Sequence, residues 1–191
     1  MNSSPLERWI VHRPNEPSID ATRHLSTTEL IEKIQKLSQK RSGRVHCIVQ
    51  RLQDGSRQTP QSVSFSIEQG LVGDRWFLDP KKKVVEQIAI MDWQIANVIA
   101  NGQSLTLFGD NLFVDLDFAN IQSGTQFSLG AAILEVTPEP HTGCSKFAKR
   151  FGSDALRYTC VDPSKNVRGV YAQVVQSGMI SLNDRLLWIE K

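Results

Sequence analysis

The hydrophobic pattern of the chain changes character near residue 43. Before that point, Leu30, Ile31, Ile34 and Leu37 recur at spacings of three and four, which predicts an amphipathic helix within residues 26–40. Ser26 precedes Glu29 by three positions, the spacing of a capping box. Residues 1–25 are polar and contain three prolines, typical of an extended arm. The sequence therefore predicts an arm and amphipathic helix over residues 1–42.

From residue 43 to residue 191 the pattern is mostly the two-residue alternation of half-buried strands. Two short helices interrupt it, one capped by Asp92 and stopped by Asn101-Gly102, the other over residues 143–151 with Thr142 as its cap. An Asp-Gly pair at 54–55 predicts a turn between the first two strands. The predicted strands occupy residues 44–51, 62–68, 85–91, 127–137, 156–161, 169–176 and 180–189. The fold class is mainly β with short helices, and many short strands indicate a β-barrel domain over residues 43–191.

Composition and charge narrow the classes of partner. The chain has 191 residues, with 22 Lys+Arg against 20 Asp+Glu. This length suits one ordinary domain, and the balanced charge gives no field that favours nucleic acid or a membrane surface. Basic residues within 33–44 and 81–83 leave a nucleic-acid-binding β-barrel as a remote alternative, although these runs are typical of solvated surfaces.

The three cysteines of the chain indicate the cellular compartment of the protein. An odd, sparse set without a C-x-x-C pair does not resemble a disulfide-stapled secreted domain or a zinc knuckle. The first residues lack the pattern of a signal peptide, and no stretch approaches the roughly 20 apolar residues of a membrane span. These observations predict a soluble cytoplasmic protein with reduced thiols.

The segment from Pro138 to Phe147 carries the strongest chemical signal, because a strand gives way to two prolines and then a helix start. Cys144 would fall in the first turn, where backbone N–H groups and nearby Lys146 and Arg150 favour a thiolate. His141 could accept the thiol proton. Such a thiolate could be a nucleophile, a persulfide carrier or a soft ligand for a metal such as molybdenum.

A purely structural role is the alternative for Cys144. Together with Phe147, Ala148 and Phe151 it has helical spacing, so it could begin a buried stripe. Cys47 and Cys160 lie in strand-like segments and are interpreted as core residues. Phosphate-binding glycine loops and nucleophile-elbow motifs do not occur in the sequence.

From about residue 44 to residue 189 the chain resembles a MOSC domain, the module named after the C-terminal part of molybdenum cofactor sulfurases. Four ordered blocks carry this resemblance. They are Gly70-Leu71-Val72-Gly73-Asp74-Arg75, Phe108-Gly109-Asp110-Asn111-Leu112, the strand at 130–137 leading to Cys144, and Arg168-Gly169-Val170-Tyr171-Ala172 continuing through 178–184. Three positions depart from the family pattern: Trp76 replaces His, Asp110 replaces Glu and Asn183 replaces Gly.

The resemblance implies a closed β-barrel and gives Cys144 the role of carrying sulfur or binding molybdenum. It also implies a molybdenum–molybdopterin cofactor, an anionic ligand that cations and backbone donors would hold. The cofactor-binding candidates are Arg75, Asn111, Lys146, Arg150 and Arg168. For Arg75 and Arg168 an internal ion pair is the alternative, and Asn111 could instead hold a loop. Pyridoxal phosphate is not supported, since the aminotransferase half of the large fusions has no counterpart here.

Three functional hypotheses remain open, and the resemblance implies the first two. The first is an enzyme that reduces N-hydroxylated compounds with electrons from a separate partner protein, because the sequence has no flavin, haem or iron–sulfur motif. The second is a non-catalytic carrier of cofactor or sulfur that works with a sulfur-donor protein. The third is the remote nucleic-acid-binding alternative. The oligomeric state is not predicted.

Overall fold

A computed structural model describes residues 17–162 and 165–189 of the chain. Its main sheet has the strand order β1-β7-β6-β10-β9-β8-β12, and all neighbours are antiparallel except β6 and β7. These strands are β1 (Val45–Ile48), β6 (Ile88–Asp92), β7 (Leu112–Val114), β8 (Gln126–Leu129), β9 (Ala132–Val136), β10 (Val170–Gln176) and β12 (Leu186–Ile189). A smaller sheet and a hairpin are formed by β4 (Ser62–Ser66), β5 (Gly70–Leu71), β11 (Gly178–Ser181), β2 (Gln50–Arg51) and β3 (Arg57–Gln58).

The main sheet is a curled half-barrel, so the prediction of a closed barrel is wrong. Its two edges meet at an isolated bridge between Arg44 and Arg185, where the Val45 N–H donates to the Asp184 carbonyl at 2.9 Å and the Leu186 N–H donates to the Gly43 carbonyl at 2.8 Å. Strands β4, β5 and β11 form their own sheet instead of completing the circle. Alternation along the sequence shows that a strand has one buried face, but it does not specify the partner of that strand.

Four α-helices lie in the described part of the chain, besides short 3₁₀ turns: α1 (Thr27–Gln35), α2 (Trp93–Ala100), α3 (Ser145–Phe151) and α4 (Ser153–Cys160). The capping box of Ser26 and Glu29 at α1 is confirmed, as is the Asp92 cap of α2. Helix α2 connects the parallel strands β6 and β7, which need such a crossover. No helix within the described residues is long and apolar enough to cross a membrane.

Other local predictions are corrected by the structure. The strand predicted over residues 127–137 is the pair β8 and β9, because Gly130 turns with a φ of 56°. Residues 180–189 also divide, into β11 and β12, at Asn183 with a φ of 69°. The segment 156–161 is not a strand but belongs to α4, where tertiary packing of Ala155 and Thr159 overrides the local β-pattern.

Two hydrophobic clusters make up the core. The first fills the curled sheet, and the second lies between the sheet and the helices and contains Leu30 of α1 together with Phe108, Phe147 and Phe151. Helix α1 packs against α2 and α4, so it braces the helical layer. The predicted arm lies largely outside the described residues, and the boundary at residues 42–43 stays a prediction.

Candidate functional site

A cavity of about 240 Å³ opens where the hairpin of β2 and β3, the 3₁₀ turn Arg75–Leu78, the loop before β7 and the loop before α3 meet. Its cationic lining is its main chemical feature: among the described residues, six basic side chains line it against one carboxylate, that of Glu86. The six are Arg51, Arg57, Arg75, Lys146, Arg150 and Arg168. His141, Cys144, Trp76 and Tyr171 also contribute to the wall. This lining favours an anionic ligand.

A buried ion pair supports the cavity floor. Asp110 is fully buried, and its Oδ1 accepts a hydrogen bond from Arg168 Nη1 at 2.9 Å, while its Oδ2 lies 2.8 Å from Arg168 Nη2 in the same ion pair. The Arg168 guanidinium also lies over the ring of Phe147, 4.7 Å from its centroid. Burial would raise the pKa of Asp110, but the charge of Arg168 outweighs it and holds that pKa below its usual range. The internal ion pair predicted as an alternative for Arg168 therefore exists, and the same side chain lines the cavity.

The hairpin of β2 and β3 brings in two arginines that sequence reasoning missed. Arg51 and Arg57 are directly cross-strand neighbours. Like charges in that position repel, unless an anionic group lies between or beside them. Arg51 makes a forked ion pair with Asp74, with Nη2–Oδ1 at 2.8 Å. The Asp-Gly turn was the available signal, since a hairpin through it pairs the residues flanking the turn.

Cys144 lies at the cavity wall with an exposed side chain. It is the N-cap residue of α3, the position predicted for Thr142, and its carbonyl accepts a hydrogen bond from the Ala148 N–H at 3.1 Å. Phe147 and Phe151 are buried beneath it, so the apolar stripe of α3 begins after the cysteine. The thiol therefore faces solvent and the cavity, which does not fit the alternative of a buried structural cysteine.

His141 occupies an environment that opposes protonation. Its side chain is 4% exposed, its ring lies 4.2 Å from that of Tyr171, and Nε2 is 3.6 Å from Asp110 Oδ1. Burial lowers the pKa of His141, and the charge of Arg168 lowers it further, to about 3. A base this weak does not hold a proton at neutral pH. The predicted acceptance of the Cys144 proton by His141 therefore does not fit an imidazole whose pKa is this low.

The buried neutral histidine predicts an acid-labile fold. An unfolded chain protonates His141 near pH 6.5, whereas the folded chain does so only near pH 3. Between these values the unfolded state holds the extra proton. The free energy of unfolding therefore decreases as the pH is lowered, by as much as about 1.4 kcal/mol per pH unit. Urea unfolding at pH 7, 6, 5 and 4 should show this component in the wild type and lose it in His141→Gln. Parallel pH curves for the two proteins would contradict the assignment.

The side chain of Asn111 lies outside the cavity. It is 1% exposed and does not line the cavity. Its Oδ1 accepts from the Ala89 N–H at 3.2 Å, and its Nδ2 donates to Asp74 Oδ2 at 3.2 Å. These contacts fit the alternative role for Asn111, that of holding the loop before β7. The other predicted residues, Arg75, Lys146, Arg150, Arg168, His141 and Cys144, all line one cavity.

The cavity fits an anionic cofactor that brings its own metal ligands. Within residues 17–162 and 165–189, no group of three His, Cys, Asp or Glu side chains is arranged to hold a metal ion. A metal already held by an organic cofactor needs only a single protein thiolate, and Cys144 can supply it. Arg168 Nε and His141 Nδ1 are buried, and the described chain gives neither a hydrogen-bond partner. Buried groups of this kind commonly interact with a ligand or water.

Solved structures with the same fold are similar to about four-fifths of this chain. YiiM from Escherichia coli matches with a TM-score of 0.55 and 21% identity, over 78% of this chain and 70% of its own. The YuaD protein from Bacillus subtilis matches with a TM-score of 0.57 and 16% identity, over 77% and 93%. Identities this low establish the fold alone. No match was found among curated proteins.

The fold defines a class of β-rich proteins that YiiM and YuaD share. A family model described as the MOSC domain matches residues 91–187, slightly more than half of the sequence. The chain belongs to the MOSC domain family, which is related to the molybdenum cofactor. The resemblance found in the sequence is thereby confirmed.

Proposed function

We propose that this protein binds a molybdenum–molybdopterin cofactor in the cationic cavity, with the Cys144 thiolate as the protein ligand of the metal. The observation that supports this proposal is an exposed thiol in the wall of a cavity lined by six cations. The cofactor would supply a soft redox-active metal centre. Arg75, Lys146, Arg150 and Arg168 would neutralise its negative charge, and the ion pair with Asp110 would fix the position of Arg168.

The reaction that we propose from the family resemblance is the reduction of an N-hydroxylated compound. That reaction breaks an N–O bond, consumes two electrons and two protons, and releases the amino compound and water. A separate electron-transfer protein would deliver the electrons. The neutral, buried His141 would contribute to the shape of the wall and would not act as the proton donor at neutral pH, because its pKa is about 3.

Sulfur transfer is the second candidate, and the exposure of Cys144 favours it. A carrier must present its persulfide to an acceptor, which a thiol buried in the core does not do. In that case the cavity would hold the acceptor cofactor beside the thiol, and the protein would work without turnover of a substrate. Both proposals agree with the cytoplasmic localisation that the reduced thiols predict.

Molybdenum content tests the ligand role directly. We expect the wild type, produced in a host that makes molybdopterin and purified without oxygen, to contain close to one molybdenum per chain. Cys144→Ser should lose most of this metal, whereas the matched thiol variant Cys160→Ser should keep it. Retention of molybdenum by Cys144→Ser would contradict ligation by this residue.

Persulfide trapping separates the two candidates. A persulfide on the wild type and on Cys160→Ser but not on Cys144→Ser, in protein without molybdenum, would support sulfur transfer. With metal present, reduction of an N-hydroxylated test compound by an artificial electron donor would support the enzyme. Protein with neither molybdenum nor persulfide would contradict both.

A further inference from the structure

Tyr171 contributes a phenol to the wall of the cavity. Its direction follows from its place in β10, where Val170 and Ala172 face the core and Tyr171 faces the opposite side of the sheet. Its cross-strand neighbour on β6 is Ala89, which lines the same cavity. A phenol can give or accept a proton, so this wall carries a group with acid–base chemistry besides the thiol of Cys144.

The proposed reduction needs a proton donor, because the oxygen of a breaking N–O bond otherwise leaves as hydroxide. His141 does not supply this proton, since its pKa is about 3. Cys144 as a metal-bound thiolate carries no proton. Burial raises the pKa of Tyr171 to about 12, so its phenol keeps the proton at neutral pH. Water has a pKa of about 15.7, so hydroxide is the stronger base and takes the proton from the phenol.

Glu86 connects Tyr171 with solvent. It closes a 3₁₀ turn that Thr137 fastens to β10, because Thr137 Oγ1 donates to the carbonyls of Val85 and Tyr171 at 2.6 and 3.3 Å. The Glu86 side chain lines the cavity, is 33% exposed and lies 2.8 Å from Lys83 Nζ at the surface. Its negative charge also contributes to the raised pKa of Tyr171. One carboxylate thus lies between the phenol and bulk water.

We propose that the Tyr171 hydroxyl donates the proton to the departing oxygen and that Glu86 returns a proton from solvent to Tyr171. The inference rests on the proposed function, which supplies the N-hydroxylated substrate and the electron-transfer protein. Two electrons enter the substrate, the N–O bond breaks, and the Tyr171 proton moves to the oxygen, which leaves as water. The nitrogen takes the second proton from solvent. The phenolate is a far stronger base than a carboxylate, so a proton that reaches Glu86 passes to Tyr171.

Single-turnover kinetics with phenylhydroxylamine test the donor on the full, molybdenum-loaded and reduced protein. Tyr171→Phe should form aniline about 10²- to 10⁴-fold more slowly than the wild type, the range for loss of a general acid. Its molybdenum content and its affinity for phenylhydroxylamine should stay those of the wild type, which a role in cofactor or substrate binding does not predict. Tyr158→Phe is the matched control and should react like the wild type, because the only other tyrosine of the chain lies in α4 and does not line the cavity.

Glu86→Gln should have a different kinetic signature. Tyr171 starts each reaction protonated, so the first turnover should be unchanged, whereas repeated turnover with an excess of an artificial electron donor should slow at least about tenfold. A second readout needs no cofactor: fluorine NMR of protein labelled with 3-fluorotyrosine follows the ionisation of Tyr171. The pKa of Tyr171 should be lower in Glu86→Gln, because a nearby negative charge is removed. Glu68→Gln, which removes an exposed carboxylate outside the cavity, should leave that pKa unchanged.

The outcomes separate this inference from the proposed function. A wild-type rate in Tyr171→Phe would overturn the donor role while the proposed function stands. Loss of molybdenum by Tyr171→Phe would assign the ring to cofactor binding and would also overturn the donor role. An unchanged pKa of Tyr171 in Glu86→Gln would overturn the return of the proton through Glu86. A wild type that contains no molybdenum and reduces nothing would contradict the proposed function, and the donor role with it.

Discussion

Replacement of Asp110 by Asn should lower the free energy of unfolding by about 3–5 kcal/mol. Asp110 is fully buried, and both of its oxygens face the guanidinium of Arg168, itself 4% exposed. Asn has nearly the same shape but no charge, so Arg168 would remain buried without a counter-charge. A domain of this kind is stable by only about 5–15 kcal/mol, so the loss is a large fraction of the total. Urea unfolding at pH 7 measures it.

Two further proteins make the Asp110 result specific. Glu68→Gln, which removes an exposed carboxylate, should change stability by no more than about 0.5 kcal/mol. The double variant Asp110→Asn/Arg168→Met removes both charges and should be less destabilised than Asp110→Asn alone, because no lone charge stays buried. A loss below 1 kcal/mol in Asp110→Asn would mean that water reaches the ion pair.

Replacement of Gly169 by Ala should cost about 3 kcal/mol of stability. Gly169 has a φ of 101°, a conformation that residues with a Cβ rarely adopt. An added Cβ would clash with the carbonyl oxygen of Ile90 and would lie 3.0 Å from its carbonyl carbon and 3.1 Å from Met91 Cα. These are backbone atoms of β6 in the middle of the sheet, which cannot move aside as a flexible side chain can. Thermal and urea unfolding measure the loss.

Gly109 provides the matched control, because a Cβ built there meets nothing within 4 Å and its φ lies outside the left-handed region. Gly109→Ala should therefore stay within about 0.5 kcal/mol of the wild type. Equal destabilisation by the two alanines would contradict the role assigned to the β6 backbone at Gly169. The sequence placed both glycines in family blocks without distinguishing a turn from a residue at the cavity wall.

The parts of the fold that the sequence predicted are those set by local interactions. The capping box at Ser26, the Asp92 cap and the left-handed stop at Asn101 depend on residues within one helical turn. Strand pairing depends on distant residues, so the sequence did not show that β4 and β5 join β11 in a separate sheet. The closed barrel was an inference from the family resemblance, and the open sheet corrects it.

The candidate site was likewise predicted in part from the sequence and decided in part by the structure. The sequence by itself determined the MOSC family, because the family motifs occur in order along the chain. It also identified the Cys144 thiol and four basic residues as site candidates: Arg75, Lys146, Arg150 and Arg168. Only the tertiary structure decided that these residues share one cavity, that Arg51 and Arg57 join them, and that Asn111 does not. It also decided that His141 is buried near Arg168, which lowers the pKa of that histidine. Burial and charge at a side chain arise from groups far away in sequence, and local patterns do not contain that information.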